Sequence, residues 1–242
     1  MAARRGRAAA AAGRWVAERL SIIIPALNEA GGIADLLDAL QPLRVQGHEV
    51  ILVDGGSTDA TVMLARPRVD TVLCTAPGRA LQMNAGAQAA GGDILWFVHA
   101  DTRLDDGHAA VLLQAMQSNP GRAWGRFDVR INGRTPLLGL VARMMNLRSR
   151  LSGIATGDQG IFVRRAVFLE IGGYADQPLM EDIELSRALK RISPPLCLRQ
   201  HIETSGRRWE QGGVIRTIVL MWGLRLGYFL GLAPERLARF YT

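Results

Sequence analysis

Clusters that carry carboxylates follow short apolar runs at three places in this sequence. The clusters are Asn28-Glu29, Asp54-Gly55-Gly56 and His99-Ala100-Asp101. Carboxylates accept hydrogen bonds from the hydroxyl and N–H groups of a ligand. Polar residues are common in any loop, but three such clusters after four apolar runs favour a binding site over ordinary loops.

The apolar runs themselves indicate buried β-strands, since each is short, unbroken and rich in aliphatic or aromatic residues. They lie at residues 20–24, 50–53, 71–73 and 94–98, and helical patterns lie between them, including one over residues 79–90. Strands that alternate with helices predict an α/β fold with a mainly parallel sheet, in which ligands bind beyond the carboxyl ends of the strands. The three clusters are therefore expected at one edge of one sheet.

Length and composition limit the class of protein further. The 242 residues suit one domain of ordinary size, and 48% hydrophobic with 21% charged residues excludes a disordered chain and a polytopic membrane protein. Two cysteines, Cys74 and Cys197, are too few for a disulfide framework, which indicates a reducing compartment and a cytoplasmic location. No G-x-G-x-x-G motif follows the first strand and no Walker A motif occurs, so the common dinucleotide and P-loop sites are unsupported.

The formal net charge of +7 is concentrated at the two ends of the chain. Residues 1–20 carry +4 and residues 199–242 carry +4, whereas the 178 residues between them carry −1. A nucleic-acid binder more often shows a basic stripe on its folded body, so nucleic acid is disfavoured as a partner. Residues 1–19 are low in complexity and are predicted to be a disordered basic tail, with a transit peptide as the alternative. Their alanine run is not apolar enough for the core of a signal peptide, which disfavours secretion.

A series of motifs resembles, in order and spacing, those of the family-2 glycosyltransferases, which have the GT-A fold. The segments are I-I-P-A-L-N-E at 23–29, V-D-G-G-S-T-D at 53–59, G-R-A at 78–80, N-A-G at 84–86, F-V-H-A-D-T at 97–102, G-D-Q at 157–159 and M-E-D-I-E-L at 180–185. The H-A-D-T and R-R-W variants are similar to the short bacterial glycosyltransferases associated with radical-SAM and selenodomain proteins. The resemblance implies an α/β GT-A domain over residues 20–209 and a C-terminal apolar helical extension over residues 210–242.

The resemblance implies transfer of a sugar from a nucleotide-diphosphate donor, UDP- or GDP-linked, to a small-molecule or lipid-linked acceptor. The residues that it assigns to the donor are Pro25, Asn28, Glu29, Asp54, Arg79, His99 and Asp101. Asp54 and Glu29 would accept hydrogen bonds from the base and the ribose. Arg79 would lie near the diphosphate, with a solvated surface arginine as the alternative.

A divalent cation, Mg²⁺ or Mn²⁺, is also implied, because the leaving diphosphate builds negative charge on its oxygens. The family's D-x-D motif is altered here, since His99 replaces the first aspartate and Asp101 remains as the principal metal ligand. We interpret His99 as a neutral histidine that hydrogen-bonds ribose or a backbone group. His201, on an expected late strand, is a further candidate metal ligand.

The pair Glu181-Asp182 resembles the catalytic carboxylate motif of the family, with Asp182 as the general base and Glu181 in support. The family pattern implies inversion at the anomeric carbon by a single displacement, which requires one base near the acceptor hydroxyl. Adjacent residues on a helix point about 100° apart, so only one of the two carboxylates would face the site. Acidic residues at a helix N-terminus also suit the helix dipole, and both interpretations can hold together.

Four residues are candidates for contacts with the acceptor or the diphosphate: Arg126, Asp158, Arg208 and Trp209. Trp209 could stack on a sugar or a prenyl chain, and a planar guanidinium suits a diphosphate. Processive members of the family carry Q-x-x-R-W at residues 205–209, where this chain has Ser205 in place of the glutamine. The change predicts a single transfer rather than polymer synthesis.

The C-terminal segment 214–232 is nineteen residues long and mostly apolar, with Arg225 near its middle. A central arginine disfavours a membrane span, and three glycines weaken an exposed helix. The pattern favours a helix packed partly on the domain and partly against a membrane surface, such as the inner face of the cell membrane, or another copy of the chain. Specificity is expected to depend on loops such as residues 132–156.

Two other functions fit parts of the sequence. A GT-A-like sugar nucleotidyltransferase would normally carry a glycine-rich, arginine-bearing loop after the first strand, and residues 25–29 are no such loop. A non-catalytic nucleotide-sugar-binding or scaffold protein would fit the loss of the first aspartate. The intact pair Glu181-Asp182 favours an enzyme.

Overall fold

A computed structural model describes residues 18–241, except for the side chain of Arg208. The predicted basic tail, residues 1–19, lies almost entirely outside the described residues. Seven strands form one sheet in the order β3-β2-β1-β4-β6-β5-β7. The strands are β1 Leu20–Ala26, β2 Glu49–Asp54, β3 Thr71–Cys74, β4 Ile94–Phe97, β5 Trp124–Asn132, β6 Phe162–Arg164 and β7 Leu196–Ser205.

Eleven α-helices connect and cover these strands in the described part of the chain. They are α1 Ile33–Ala39, α2 Gln41–Val45, α3 Thr61–Ala65, α4 Arg79–Ala89, α5 Gly107–Ser118, α6 Leu137–Ser152, α7 Arg165–Glu170, α8 Glu181–Ile192, α9 Arg207–Gly212, α10 Val214–Phe229 and α11 Pro234–Ala238. Two short 3-10 turns occur at Arg66–Arg68 and Gly157–Gln159.

The direction of the strands brings most of their carboxyl ends to one edge of the sheet. Strands β1, β2, β3 and β4 run parallel, β5 and β7 run parallel to each other, and β6 is antiparallel to both β4 and β5. Six carboxyl ends therefore meet at the same edge as the beginning of β6. The prediction of an α/β fold with a mainly parallel sheet is confirmed.

The first four strands are apolar without interruption because helices cover both faces of the sheet. One face packs on α1 and α5, and the other packs on α4, α7 and α8. Helix α4 lies very close to the sheet, since a Cβ on Gly86 would lie 2.5 Å from Cγ2 of Ile23. This contact explains a glycine in the middle of a helix, where it otherwise lowers stability by about 1 kcal/mol.

The prediction that residues 132–156 form a loop is wrong, because most of this segment is the helix α6. Its buried residues Leu138, Val141 and Met145 pack on Val129 and Ile131 of β5. Helices α9 and α10 pack on the same cluster, and the predicted domain boundary at residue 209 falls inside α9. Among the described residues, we find no helix with both the length and the apolar character that a membrane crossing requires.

Candidate active site

A cavity of about 890 Å³ lies at the edge of the sheet where the strands end. One wall consists of strand ends and the loops that follow them, and it carries Pro25, Glu29, His99 and Asp101. The opposite wall consists mainly of apolar side chains from α6 and α10. The cavity therefore has a polar side and an apolar side.

The loops after β1 and β2 are tied together by two side chains. Oδ1 of Asn28 accepts a hydrogen bond from the backbone N–H of Thr58 (2.9 Å), and Asn28 itself has a left-handed backbone (φ 55°). Nε2 of Gln82 donates to the carbonyl oxygens of Ala26 (2.9 Å) and Val53 (2.8 Å). Asn28, predicted to bind the donor, thus holds two loops in position, while Gln82 was not predicted and lines the cavity.

Asp54 is buried at the end of β2. Its Oδ2 atom accepts hydrogen bonds from the backbone N–H groups of Gly56 and Ser57, each at 3.0 Å. Its Oδ1 atom is buried and has no hydrogen-bond partner among the described residues. Asp54 does not itself line the cavity, but a buried acceptor without a partner is costly, so a ligand that reaches the end of β2 would supply the missing donor.

His99 contacts the turn Gly157–Gln159, which precedes β6, a neighbour of β4 in the sheet. Nδ1 of His99 lies 3.3 Å from Oδ1 of Asp158, and a Cβ on Gly157 would lie 2.5 Å from Nε2 of the same imidazole. Burial raises the pKa of Asp158, but the hydrogen bond with His99 and the nearby charges of Arg79 and Arg225 lower it overall. Asp158 is therefore an ionised group on the cavity wall.

The acidic pair lies at the first turn of α8, directly behind this turn. Met180, the residue before the helix, has a left-handed backbone (φ 68°), which is uncommon outside glycine and is often found at functional sites. Oδ2 of Asp182 accepts a hydrogen bond from the backbone N–H of Gly157 (3.1 Å), and Oδ1 accepts one from Ile183 (2.8 Å). Asp182 is thus one hydrogen bond away from the turn that carries the cavity-lining Asp158.

Burial governs the protonation of this pair. Burial, and next the charge of Asp182, raise the pKa of Glu181 to about 7. Burial also raises the pKa of Asp182, although Arg225 and two backbone N–H groups oppose that shift. Close carboxylates share their protons, so one of the two holds a proton more readily than an exposed acid does.

Arg79 begins α4 and lines the cavity. Burial lowers the pKa of its guanidinium, but Tyr241, Asp158, Glu181 and Asp182 raise it overall. The side chain therefore stays cationic and faces the acidic groups of the site.

Arg148 of α6 and Arg225 of α10 also line the cavity, and neither was predicted as a site residue. Arg148 lies in a segment that we expected to be a loop. Arg225 had a signal in the sequence, namely a charge in the middle of an apolar helix. The structure accounts for that charge, because the side chain faces the cavity rather than lipid or the core.

Arg126, predicted to contact phosphate, does not line the cavity. It is fully buried, pairs with Asp128, and donates from Nη2 to the carbonyl oxygen of Asn146 (3.3 Å). Oδ2 of Asp128 in turn accepts a hydrogen bond from Arg150 (2.6 Å). The sequence contained an indication of this pair, since Arg126 and Asp128 are two residues apart and such residues on a strand share one face.

The other predicted residues are spread over the C-terminal part of the site. Trp209 lines the cavity, whereas His201 is exposed on β7 and is not among the lining residues. The side chain of Arg208 lies outside the described residues. Its neighbour Arg207 forms an ion pair with Glu29 (3.6 Å), which joins the end of β7 to the end of β1.

A divalent cation at this site would need side-chain ligands on the wall of the cavity. The described residues contain no group of three or more His, Cys, Asp and Glu side chains placed to hold a metal ion. Mg²⁺ in phosphoryl-type sites commonly takes one or two carboxylates and completes its shell with water and substrate phosphates. Asp101, a carboxylate on the wall of the cavity, fits that mode of binding.

The family follows from a match along the chain. Residues 21–168, well over half of the sequence, match the family described as "Glycosyl transferase family 2". The chain belongs to this family. A curated relative, poly-beta-1,6-N-acetyl-D-glucosamine synthase of Staphylococcus epidermidis, is 23% identical over 217 residues, which cover 80% of this chain and 53% of the relative. This family-2 chain thus spans about half the length of the curated relatives that it matches.

Solved structures show that the fold is GT-A. Residues 1–349 of TarS from S. aureus superpose with a TM-score of 0.64 at 19% identity, over 78% of this chain and 60% of that one. Glucosyl-3-phosphoglycerate synthase from Mycobacterium tuberculosis, in complex with Mn²⁺, UDP and glucosyl-3-phosphoglycerate, superposes with a TM-score of 0.58 at 20% identity. The match covers 77% of this chain and 71% of that one. The mannosyltransferase PcManGT from Pyrobaculum calidifontis, in complex with GDP-Man and Mn²⁺, superposes with a TM-score of 0.57 at 20% identity. The match covers 78% of this chain and 57% of that one.

The raised pKa of Glu181 predicts a specific dependence of stability on pH. Between pH 5 and pH 8 the unfolded chain ionises this carboxyl first, so the wild type loses stability as the pH rises towards and through about 7. Glutamine cannot ionise. We therefore expect the free energy of unfolding of Glu181→Gln, relative to wild type, to increase by about 1–3 kcal/mol from pH 5 to pH 8.

Urea unfolding at the two pH values measures this difference. Glu170→Gln, at an exposed position on α7, is the matched control, and its difference from wild type should be the same at both pH values. An equally constant difference for Glu181→Gln would show that the carboxyl is not perturbed.

Proposed function

We propose that this chain is a nucleotide-sugar-dependent glycosyltransferase that inverts the anomeric carbon and transfers one sugar per binding event. The observation that carries the proposal is one cavity whose wall holds Asp101, Asp158 and Arg79, with the pair Glu181-Asp182 directly behind it. A family-2 chain with this arrangement has groups for the charged donor and for a proton at one place.

In the proposed reaction, an acceptor hydroxyl attacks the anomeric carbon of the donor. The new C–O bond forms as the bond between that carbon and the diphosphate oxygen breaks, and the electron pair leaves with the nucleoside diphosphate. The hydroxyl proton passes to the carboxylate of Asp182, which does not line the cavity and must come within about 3 Å of that proton in the reacting complex. The hydrogen bonds from Gly157 and Ile183 fix the orientation of that carboxylate.

The second requirement of the site is to neutralise the negative charge of the donor diphosphate. A divalent cation, Mg²⁺ or Mn²⁺, would neutralise the charge that develops on the leaving diphosphate. Asp101 would hold it, and His99 would orient Asp158 rather than bind the metal, because its imidazole already contacts that carboxylate. Arg79, kept cationic by its acidic neighbours, would bind the diphosphate from the start of α4.

Recognition of the nucleoside rests on the end of β2 in this proposal. The unpartnered Oδ1 atom of Asp54 would accept a hydrogen bond from a ring N–H of the base. Glu29, half-buried in the cavity wall and paired with Arg207, would accept from the ribose. TarS is described in complex with UDP-GlcNAc and PcManGT in complex with GDP-Man, so UDP- and GDP-linked sugars are the first donors to test.

A single transfer is supported by one feature at the end of β7, and a second feature there bears on the acceptor. Ser205 stands where processive relatives carry glutamine, and it lines the cavity beside Trp209. Trp209 also packs on the apolar cluster of β5 and α6, so its ring is held at the wall where an acceptor would lie.

Substitution of the general base gives a direct test. We expect Asp182→Asn to bind UDP-GlcNAc or GDP-mannose with wild-type affinity and to turn over at least about 100-fold more slowly, because the amide takes no proton, although its oxygen still accepts one of the two backbone hydrogen bonds. Calorimetry measures donor binding, and release of nucleoside diphosphate measures turnover. Asp176→Asn, at an exposed site before α8, is the control. Turnover of Asp182→Asn close to that of the control would eliminate the assignment.

We also propose that the protein binds the surface of an anionic membrane through α6 and α10. Apolar side chains are exposed in stripes along both helices: Leu140, Met144, Leu147 and Leu151 on α6, and Ile215, Val219, Trp222, Leu226 and Phe229 on α10. The net charge of +4 in residues 199–242 would attract anionic lipid headgroups to the same region. Apolar area and charge together favour adsorption to a bilayer surface.

Sedimentation with phosphatidylglycerol liposomes tests the membrane proposal. We expect the wild type to sediment with the liposomes, and the triple variant Val219→Gln, Leu226→Gln, Phe229→Gln to lose at least about half of the bound fraction, since each change removes exposed apolar area. The control is Val45→Gln, Met63→Gln, Leu169→Gln, which changes three exposed apolar residues elsewhere. Equal bound fractions for the two triple variants would contradict the proposal.

A further inference from the structure

Two arginines line the cavity close to each other, one from each of the helices that carry its apolar side chains. Arg148 comes from α6 and Arg225 from α10, and both side chains are half-buried in the cavity wall. Burial, and next the positive charge of Arg225, lower the pKa of Arg148 to about 10. The two like charges are therefore close together and poorly solvated.

The N–H groups of these arginines are not fully used. Nε and Nη2 of Arg148 and Nε of Arg225 are buried atoms that have no hydrogen-bond partner among the described residues. Asp182 is close enough to attract Arg225, but it does not reach these three atoms. Buried charged donors without acceptors are costly, so an arrangement of this kind points to an anion that arrives with a ligand.

The surroundings of the two arginines are apolar. Leu140 and Met144 of α6 and Ile218, Met221 and Trp222 of α10 line the same part of the cavity. Leu140, Met144 and Trp222 are also between 48% and 63% exposed, so the apolar lining continues to the molecular surface. A ligand here could place an apolar chain between the two helices and leave its far end outside.

We propose that Arg148 and Arg225 bind the phosphate of an amphiphilic acceptor whose apolar chain lies between α6 and α10. Arginine suits this role because its planar guanidinium can give two parallel hydrogen bonds to one phosphate. The inference rests on the proposed function, since it assigns the acceptor of that same reaction. It adds the chemical class of the acceptor, a phosphate joined to a long apolar chain, and the residues that select it.

The donor diphosphate is the other possible source of an anion, since Arg225, like Arg79, also lies near Asp158, and the elements that carry the two arginines are what favours the acceptor. The groups suited to the donor, Asp101 and Arg79, come from β4 and α4, on the polar side of the cavity. Arg148 and Arg225 come from the two helices that carry the apolar lining. An anion bound by them would still lie within electrostatic range of Asp182, the proposed base.

Calorimetric titration with dodecyl phosphate, below its micellar concentration, tests the proposal. We expect it to bind the wild type at least about tenfold more tightly than inorganic phosphate or dodecyl maltoside, and to bind Arg148→Gln/Arg225→Gln at least about tenfold more weakly than wild type. The matched control is Arg143→Gln/Arg216→Gln, which removes two exposed arginines from the same helices and should bind within about twofold of wild type.

UDP binding separates the two sources of the anion. The affinity of UDP should be the same in wild type and in Arg148→Gln/Arg225→Gln, and that result also shows that the variant is folded. Should that variant fail to fold, Arg148→Lys/Arg225→Lys keeps both charges but not the paired donors, and weaker binding of dodecyl phosphate is again expected.

Three results would overturn the proposal: dodecyl phosphate binding that is absent or equal in the two glutamine variants, a loss of UDP affinity as large as that for dodecyl phosphate, or inorganic phosphate binding as tightly as dodecyl phosphate. The proposed function fails separately, if neither UDP-GlcNAc nor GDP-mannose binds while dodecyl phosphate still does. In that case the phosphate site stands and its role as an acceptor site does not.

Discussion

Charged groups converge at one cavity, and the rest of the structure is arranged around that convergence. Three acids, Asp158, Glu181 and Asp182, lie close to the cationic side chains of Arg79 and Arg225. Glu181 is buried, so its charge would be costly by itself, whereas Arg79 is exposed and Asp158 is partly exposed. Each is tolerated because opposite charges and backbone N–H groups surround it, and one acid of the coupled pair can hold a proton. The charges of the site therefore compensate one another, and the site suits a charged substrate.

The parallel sheet is what makes this convergence possible. Strands β1, β2 and β4 deliver their carboxyl ends to one edge, and the antiparallel β6 begins at that edge after the turn that carries Asp158. These strands were predictable from the sequence to within two residues, because burial on both faces leaves an unbroken apolar run. The polar clusters after them were predictable for the same reason, since a loop that follows a buried strand is the first place where a polar residue can reach the surface.

Helix α6 and the roles of Arg148 and Arg126 could not be predicted from the sequence, and the physical reason differs between them. Helix α6 packs on β5 and also lines the cavity, and Val141 and Met145 do both, so apolar residues extend around much of the helix and the helical period is obscured. The role of Arg148 depended on that helix. Arg126 resembled a phosphate ligand by its residue type, but a partner two residues away on the same strand, Asp128, holds it in the interior. Residue type predicted the chemistry of the site better than it predicted which charges pair with each other.

In the proposed function, a nucleotide sugar binds at this cavity with a divalent cation held by Asp101. Calorimetric titration of UDP-GlcNAc and GDP-mannose, each with and without Mg²⁺ or Mn²⁺, tests it most directly in wild type, in Asp101→Asn and in the exposed control Asp106→Asn. We expect the metal to tighten binding of at least one donor by about tenfold or more in wild type and in the control, and Asp101→Asn to lose this effect. Binding of neither donor to the wild type, or an undiminished effect of the metal in Asp101→Asn, would contradict it.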